Sequence, residues 1–153
     1  MPAGPCHSCE LTARADLPPR ERVYLGPHWR VAHAFDSAIP GWLVLLPRRH
    51  ITALDELTAD EAAGLGPLLR ALTGALREVT GAQKTYVALF AEAEGFSHVH
   101  FHVVPRDPGL PEEFRGPRVF GLLGADPGLR VDPGTMDRIA TELGNALRRY
   151  GLT

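Results

Sequence analysis

The sequence predicts an α+β fold. Three observations carry it: apolar runs of strand length bracketed by Pro and Gly, one long capped helical stripe lying between them, and a second amphipathic helix near the C-terminus. The 153 residues are the length of one domain, 1–153, and 44% hydrophobic against 22% charged residues is enough apolar material for a core. A formal charge of −2 leaves no basic surplus for a nucleic-acid polymer. No apolar stretch approaches the roughly 18–20 residues needed to cross a bilayer, which argues against a membrane partner. The start, Met1-Pro2-Ala3-Gly4-Pro5-Cys6, lacks the basic and apolar segments of a secretory signal, so the chain reads as cytoplasmic.

In chain order, Cys6 and Cys9 come first, the only two cysteines, spaced C-x-x-C. In a reducing compartment such a pair is a metal half-site or a redox pair. Val23-Tyr24-Leu25 is a short candidate strand. Trp29–Phe35 and the continuous apolar run Trp42–Leu46 are two more, able to pair as a hairpin whose connection opens at Asp36-Ser37. Thr58-x-x-Glu61 is a capping box and starts the clearest helix. Leu65, Leu68, Leu69, Leu72 and Leu76 give it one buried stripe. Pro67 interrupts its hydrogen bonding and predicts a kink, and the helix fades near Thr80-Gly81. Tyr86–Phe90 is the next strand. Between residues 105 and 133, 11 of 29 residues are Pro or Gly, which predicts a long loop that lines a site or a subunit contact. A final helix runs from about Gly134 to Tyr150, with Met136, Ile139, Leu143 and Leu147 on one face and Gly151 as its stop.

The most informative stretch is His98-Val99-His100-Phe101-His102-Val103-Val104-Pro105. Read as a strand, its period of two puts three imidazoles on one face and Val99, Phe101 and Val103 in the core. Three imidazoles side by side need partners and repel one another when protonated, so a metal site or nucleophilic catalysis explains them better than ordinary packing. A cupin-type metal site needs a carboxylate a few residues on, where this chain has Pro105-Arg106.

These residues resemble the histidine triad (HIT) family, whose motif H-φ-H-φ-H-φ-φ is matched throughout from His98 to Val104. The run Pro40-Gly41-Trp42 to Pro47-Arg48-Arg49-His50 resembles the family's upstream strand, and the likeness extends from Cys6 to about Arg106. The resemblance implies a HIT-like fold: a mostly antiparallel sheet, a long central helix and a C-terminal helix. It also implies nucleotidyl transfer, the hydrolysis of dinucleoside polyphosphates such as diadenosine tetraphosphate, or of phosphoramidates, through a covalent nucleotidyl-histidine. Carried over, His100 is the nucleophile and His102 binds the phosphate and leaving group. An imidazole attacks at neutral pH without a separate base, provided its other nitrogen has an acceptor that fixes the tautomer. Many bacterial relatives complete a C-x-x-C zinc site with the histidine of the basic run and the first triad histidine. Here those are His50 and His98, which with Cys6 and Cys9 imply a structural zinc anchoring residues 1–20. Members commonly form homodimers.

Three departures shape the expected pocket. Trp42 stands where the family usually has histidine, so its indole N–H donates but cannot titrate. Glu94-Gly95-Phe96-Ser97 replaces the common Gly-Gln-Ser, leaving Ser97 and the Gly95 amide to meet phosphate. Ala34 occupies the position of the ribose-binding acid, with Asp36 two residues away. Arg106, and Arg115 or Arg118 beyond it, offer guanidinium groups to a polyphosphate. Two other readings compete with the enzyme: a nucleotide-binding or sensing module of weak catalytic power, and a zinc-stabilised interaction domain.

Overall fold

Five strands form one antiparallel sheet in the computed structural model, which describes residues 4–152. β1 (Tyr24–Leu25), β2 (Trp29–His33), β3 (Leu43–Pro47), β4 (Lys84–Leu89) and β5 (Phe101–Arg106) lie in the order β1-β2-β3-β5-β4. The triad-bearing strand is therefore interior, between β3 and the edge strand β4, although it is the last strand in the chain. The predicted hairpin is present: Val31 faces Leu45 and His33 faces Leu43 across β2 and β3. Its connection is pinned from within, because the Gly41 N–H donates to Nε2 of buried His33 at 2.9 Å. Gly41 has φ +86°, and a Cβ there would lie 3.0 Å from the Thr80 methyl, so this tight passage into β3 demands glycine.

Period-two alternation sorts the sheet into two faces. Val31, Leu43, Leu45, Phe101 and Val103 pack beneath two helices, α2 (Ala59–Thr80) and α3 (Pro133–Arg148). Helix α2 begins where the capping box requires: Thr58 Oγ1 accepts from the Glu61 N–H at 3.2 Å, and the Glu61 carboxylate accepts from the Thr58 N–H at 2.8 Å. Leu68, Leu72 and Leu76 are buried, and Ala71 and Ala75 let the sheet approach. Each large side chain so placed contributes about 1.5–3 kcal/mol. The helix runs on through Pro67, whose ring lies on the exposed side, and ends at Gly81, left-handed at φ +73°. Helix α3 starts one residue earlier than its periodicity predicted, capped by Asp132, and ends at Arg148.

The other face carries Arg30, Ala32, Val44, Leu46, His102 and Val104. No regular helix of the core covers it. The Pro/Gly-rich stretch after β5 folds over part of it as three short 3-10 turns, setting Val119, Phe120, Leu122 and Leu123 against Trp42 and Val104. Backbone bonds from Ala38 to Leu122 and from Val131 to Ser37 tie this stretch to the β2–β3 connection. A seven-residue helix that the sequence reading did not anticipate, α1 (His7–Ala13), lies beside the remaining uncovered part. Among the described residues, no helix is long and apolar enough to cross a membrane.

Candidate active site and metal centre

Only His102 of the three histidines lies inside β5; His98 and His100 precede the strand. The uniform alternation expected over the whole motif is thus limited to its second half. β5 pairs with β3 only from Phe101 onward, and before that the Val99 N–H bonds instead to the Ile51 carbonyl. The apolar partners still behave as predicted, with Val99, Phe101 and Val103 all buried.

The separation sends the histidines to different tasks. His98, 1% exposed, turns Nδ1 toward the N-terminal cysteines and donates Nε2–H to the Pro47 carbonyl at 2.8 Å. Its Nδ1 is 3.6 Å from Cys6 Sγ and 3.5 Å from Cys9 Sγ, and His50 Nδ1 is 3.3 Å from Cys9 Sγ. The four ligand atoms lie within 4.8 Å of one another. A tetrahedral zinc with two thiolates and two imidazoles sets S···N edges of about 3.5 Å, so this donor set fits one. Cys6 caps α1 and Cys9 follows three residues later, which puts both thiols on one side of its first turn. Burial, followed by the neighbouring Cys6, pushes the Cys9 thiol up to about 11, so a thiolate here needs a cation beside it. Arg49, next to His50, is fastened by a bidentate pair with the buried carboxylate of Glu61, which it holds down to about 2.

His100 does not join the cluster. Its Nδ1–H donates to the His98 carbonyl at 2.7 Å, which fixes the tautomer and leaves Nε2 with a lone pair. His102 sits beside it, ring centres 5.0 Å apart, and accepts the Trp42 indole N–H at Nδ1 over 3.0 Å. An indole nitrogen only donates, so the proton of neutral His102 resides on Nε2. Burial, and after it the His100 ring, push His102 down to about 4 and keep it uncharged at neutral pH. Phe120 from the long loop closes the back of the ring at 4.9 Å.

His100 and His102 line a cleft of about 240 Å³ on the uncovered face. Asp36 lines it too, near the start of the hairpin connection. Trp42 does not: it is fully buried and reaches the cleft only through His102. Gly95 and Ser97 are exposed beside it, while their neighbours Ala93 and Phe96 form part of its wall. Arg106 is not brought to the site. It ends β5 four residues beyond His102, about 13 Å along the strand, opposite Lys84. Arg115 and Arg118 brace their own loop by donating to the carbonyls of Leu110 and Glu112.

The sequence reading missed several lining residues. His7, Phe35 and Phe96 form an aromatic group at the cleft, His7 packing edgewise on both phenyl rings at 5.9 Å. Arg30 and Glu21 line it as well. A charged residue in the middle of the apolar run Trp29–His33 was the available signal, since strand parity puts Arg30 on the same face as His102.

Comparison with known proteins agrees with this geometry. A family model described as "HIT domain" matches residues 18–109. No curated protein matches the chain by sequence. A Zn-bound histidine triad family protein from Mycobacterium smegmatis superposes with a TM-score of 0.69 at 20% identity, covering 94% of each chain. A hypothetical histidine triad nucleotide-binding protein from Sulfolobus tokodaii gives 0.70 at 14% identity, over 94% of this chain and 93% of that one. A histidine triad protein from Sinorhizobium meliloti gives 0.66 at 25% identity, over 80% and 86%.

Proposed function

The chain belongs to the HIT domain family, and from that premise we propose that it is a nucleotide hydrolase or nucleotidyltransferase working through a covalent nucleotidyl-His100. One observation carries the reading: the His98 carbonyl holds the Nδ1 proton of His100, so Nε2 is left as the nucleophile on a residue that lines the cleft. Nε2 attacks the α-phosphorus of a dinucleoside polyphosphate or a nucleoside phosphoramidate. The N–P bond forms as the P–O or P–N bond to the leaving group breaks. The imidazole becomes cationic in that step, and the Nδ1–H bond to the carbonyl turns charge-assisted, stronger in the transition state than in the ground state. His102, neutral, presents Nε2–H to the phosphoryl oxygens or the leaving group without adding a repelling charge. In this reading Asp36 is the acid that meets the ribose, and Ser97 with the Gly95 amide meets the phosphate. Water, or a second acceptor, then breaks the N–P bond and releases the nucleotide.

The same reading gives Cys6, Cys9, His50 and His98 a zinc ion. Four protein ligands close such a site, so its role is structural. The Mycobacterium smegmatis protein, described as Zn-bound, supports this reading. It also includes a homodimer, for which the unpaired outer edge of β4 among the described residues is the available sheet surface. The test is to incubate the metal-loaded protein with diadenosine tetraphosphate, and with adenosine and guanosine phosphoramidates, and follow nucleoside monophosphate by chromatography. Release that disappears in His100→Ala, at unchanged melting temperature, is the expected result. Nucleotide that binds without release from any of these substrates moves the assignment to a binding module.

A further inference from the structure

The floor of the cleft is apolar where Ala32, Val44 and Leu46 form it, and polar at one end. That end is Arg30, which stands opposite Leu46 on β3, two residues from the Val44 that faces His102. Two strand spacings and two residues of rise separate Arg30 from His102, about 12 Å between Cα atoms. On the proposed reading the phosphorus sits at His100 and His102, and the base runs toward this end of the cleft, which Arg30 and Glu21 line.

Arg30 is 2% exposed, and two of its three guanidinium nitrogens are hydrogen-bonded. Nε donates to Thr12 Oγ1 at 3.0 Å, and Nη1 donates to the Glu21 carbonyl at 3.0 Å and to Glu21 Oε2 at 3.1 Å. Two atoms of the pair have no partner among the described residues, Arg30 Nη2 and Glu21 Oε1. Neither is sealed in protein, since among the described residues the buried side-chain nitrogen or oxygen without a partner is Arg106 Nε, away from this cleft. Both residues line the cleft. One donor nitrogen and one acceptor oxygen, carried by two side chains joined in an ion pair, therefore remain for whatever occupies this end. Neither can exchange roles, because a guanidinium never accepts and a carboxylate never donates.

We infer that Arg30 and Glu21 select the substrate's base, favouring one that shows a carbonyl oxygen beside a ring N–H over adenine or cytosine. This deepens the reading of the cleft as a nucleotide site and rests on it. Guanine and hypoxanthine offer O6 to Arg30 and N1–H to Glu21, and uracil offers O4 and N3–H. Adenine and cytosine present the reverse pattern: an amino group toward the guanidinium and a lone pair toward the carboxylate. Both contacts then fail at once, in a site where unpaired polar groups are costly.

The experiment is calorimetric titration of the metal-loaded protein with GMP, IMP, UMP, AMP and CMP, together with 1-methyl-GMP, which keeps the purine and loses the N–H. GMP and IMP binding at least about tenfold tighter than AMP, with 1-methyl-GMP reduced to the AMP level, is the expected pattern. UMP binding tighter than CMP is expected on the same ground, and the reverse order overturns the inference. Glu21→Gln supplies a second test, because its amide can present either an oxygen or an N–H. It should bring GMP and AMP to within about threefold, with its fold checked by circular dichroism. AMP equal to or tighter than GMP, or indifference to the N1 methyl group, overturns the inference. A base preference without His100-dependent release would sink the proposed transfer alone. His100-dependent release without base preference sinks the selection alone, and no nucleotide binding sinks both.

Discussion

The four-ligand cluster and the cleft beside it are built from the same histidine motif, yet they dispose of polarity in opposite ways. In the cluster, two thiols and two imidazoles converge on one point between them. In the cleft, His100 and His102 are each gripped from behind and leave one ring nitrogen without a partner among the described residues, and the Arg30–Glu21 pair leaves two atoms so. The first arrangement is self-satisfying once a cation is present; the second is completed only by a ligand. His98 belongs to both, giving its Nδ1 to the cluster and its carbonyl to His100. The difference teaches that side chain and backbone of one residue can serve stability and chemistry separately.

The strongest way to break the comparison is to empty the cluster. Cys9→Ser, or chelation of the metal, should cost on the order of 3–5 kcal/mol in urea unfolding and abolish bound zinc by elemental analysis. His98→Ala is the sharper variant, since it deletes the ligand and keeps the carbonyl. It should lose zinc while its folded fraction retains turnover, and turnover lost in proportion to zinc would show that the two regions are not separable.

Acid probes the cleft's half. His102 stands at about 4 in the folded chain, against 6.5 for an ordinary histidine. The unfolded state thus takes up the proton first, and the contribution to stability is fully present above pH 6.5 and is lost as the pH falls toward 4. Its ceiling is about 3 kcal/mol. Denaturant midpoints measured from pH 7 to pH 4.5 should fall, and less steeply in His102→Asn. The slope is not abolished there, because buried His33 is lowered in the same direction.

Trp42→Phe removes the indole donor and leaves the His102 tautomer unassigned. About a tenfold fall in turnover with little change in nucleotide affinity is expected, the loss of one buried hydrogen bond of about 1.4 kcal/mol. An unchanged rate would mean that packing alone orients His102. The smallest effect belongs to Glu61→Gln, which weakens both the cap of α2 and the pair with Arg49 beside His50. Unfolding should lose about 1 kcal/mol, and a zinc competition assay should show only a slight drop in affinity.

What could be read from residues alone divides along the same line. Helix α2 was legible to its ends, because Thr58, Glu61 and Gly81 act on their own neighbours. The hairpin was legible from two strand-length runs with a turn signal at Asp36-Ser37, and the core face of the triad strand followed from the alternation of Val99, Phe101 and Val103. The convergence of Cys6, Cys9, His50 and His98 was accessible through the family resemblance, and the distances bear out that these four meet. Helix α1 was not legible: seven residues next to Pro and Gly have no propensity to stand alone, and it is held by tertiary groups such as Thr12 against Arg30. Arg106 looked like a phosphate ligand because it follows the motif directly, but an extended chain carries it away from the histidines with every residue. Arg30 was not singled out in the sequence reading, since its meaning depends on which strand pairs with which.

Cys9 and His98 are 89 positions apart, and that spacing has a consequence in time. A ribosome adding about 5–20 residues per second makes His98 roughly 5–20 s after Cys9. Through that interval the two thiols are out in solution with half a coordination shell, and the first wall of the cleft has nothing to lean on. The segment translated first is therefore among the last to find its place, and on the proposed zinc reading, free zinc at the moment His98 emerges sets how soon the nascent chain becomes competent.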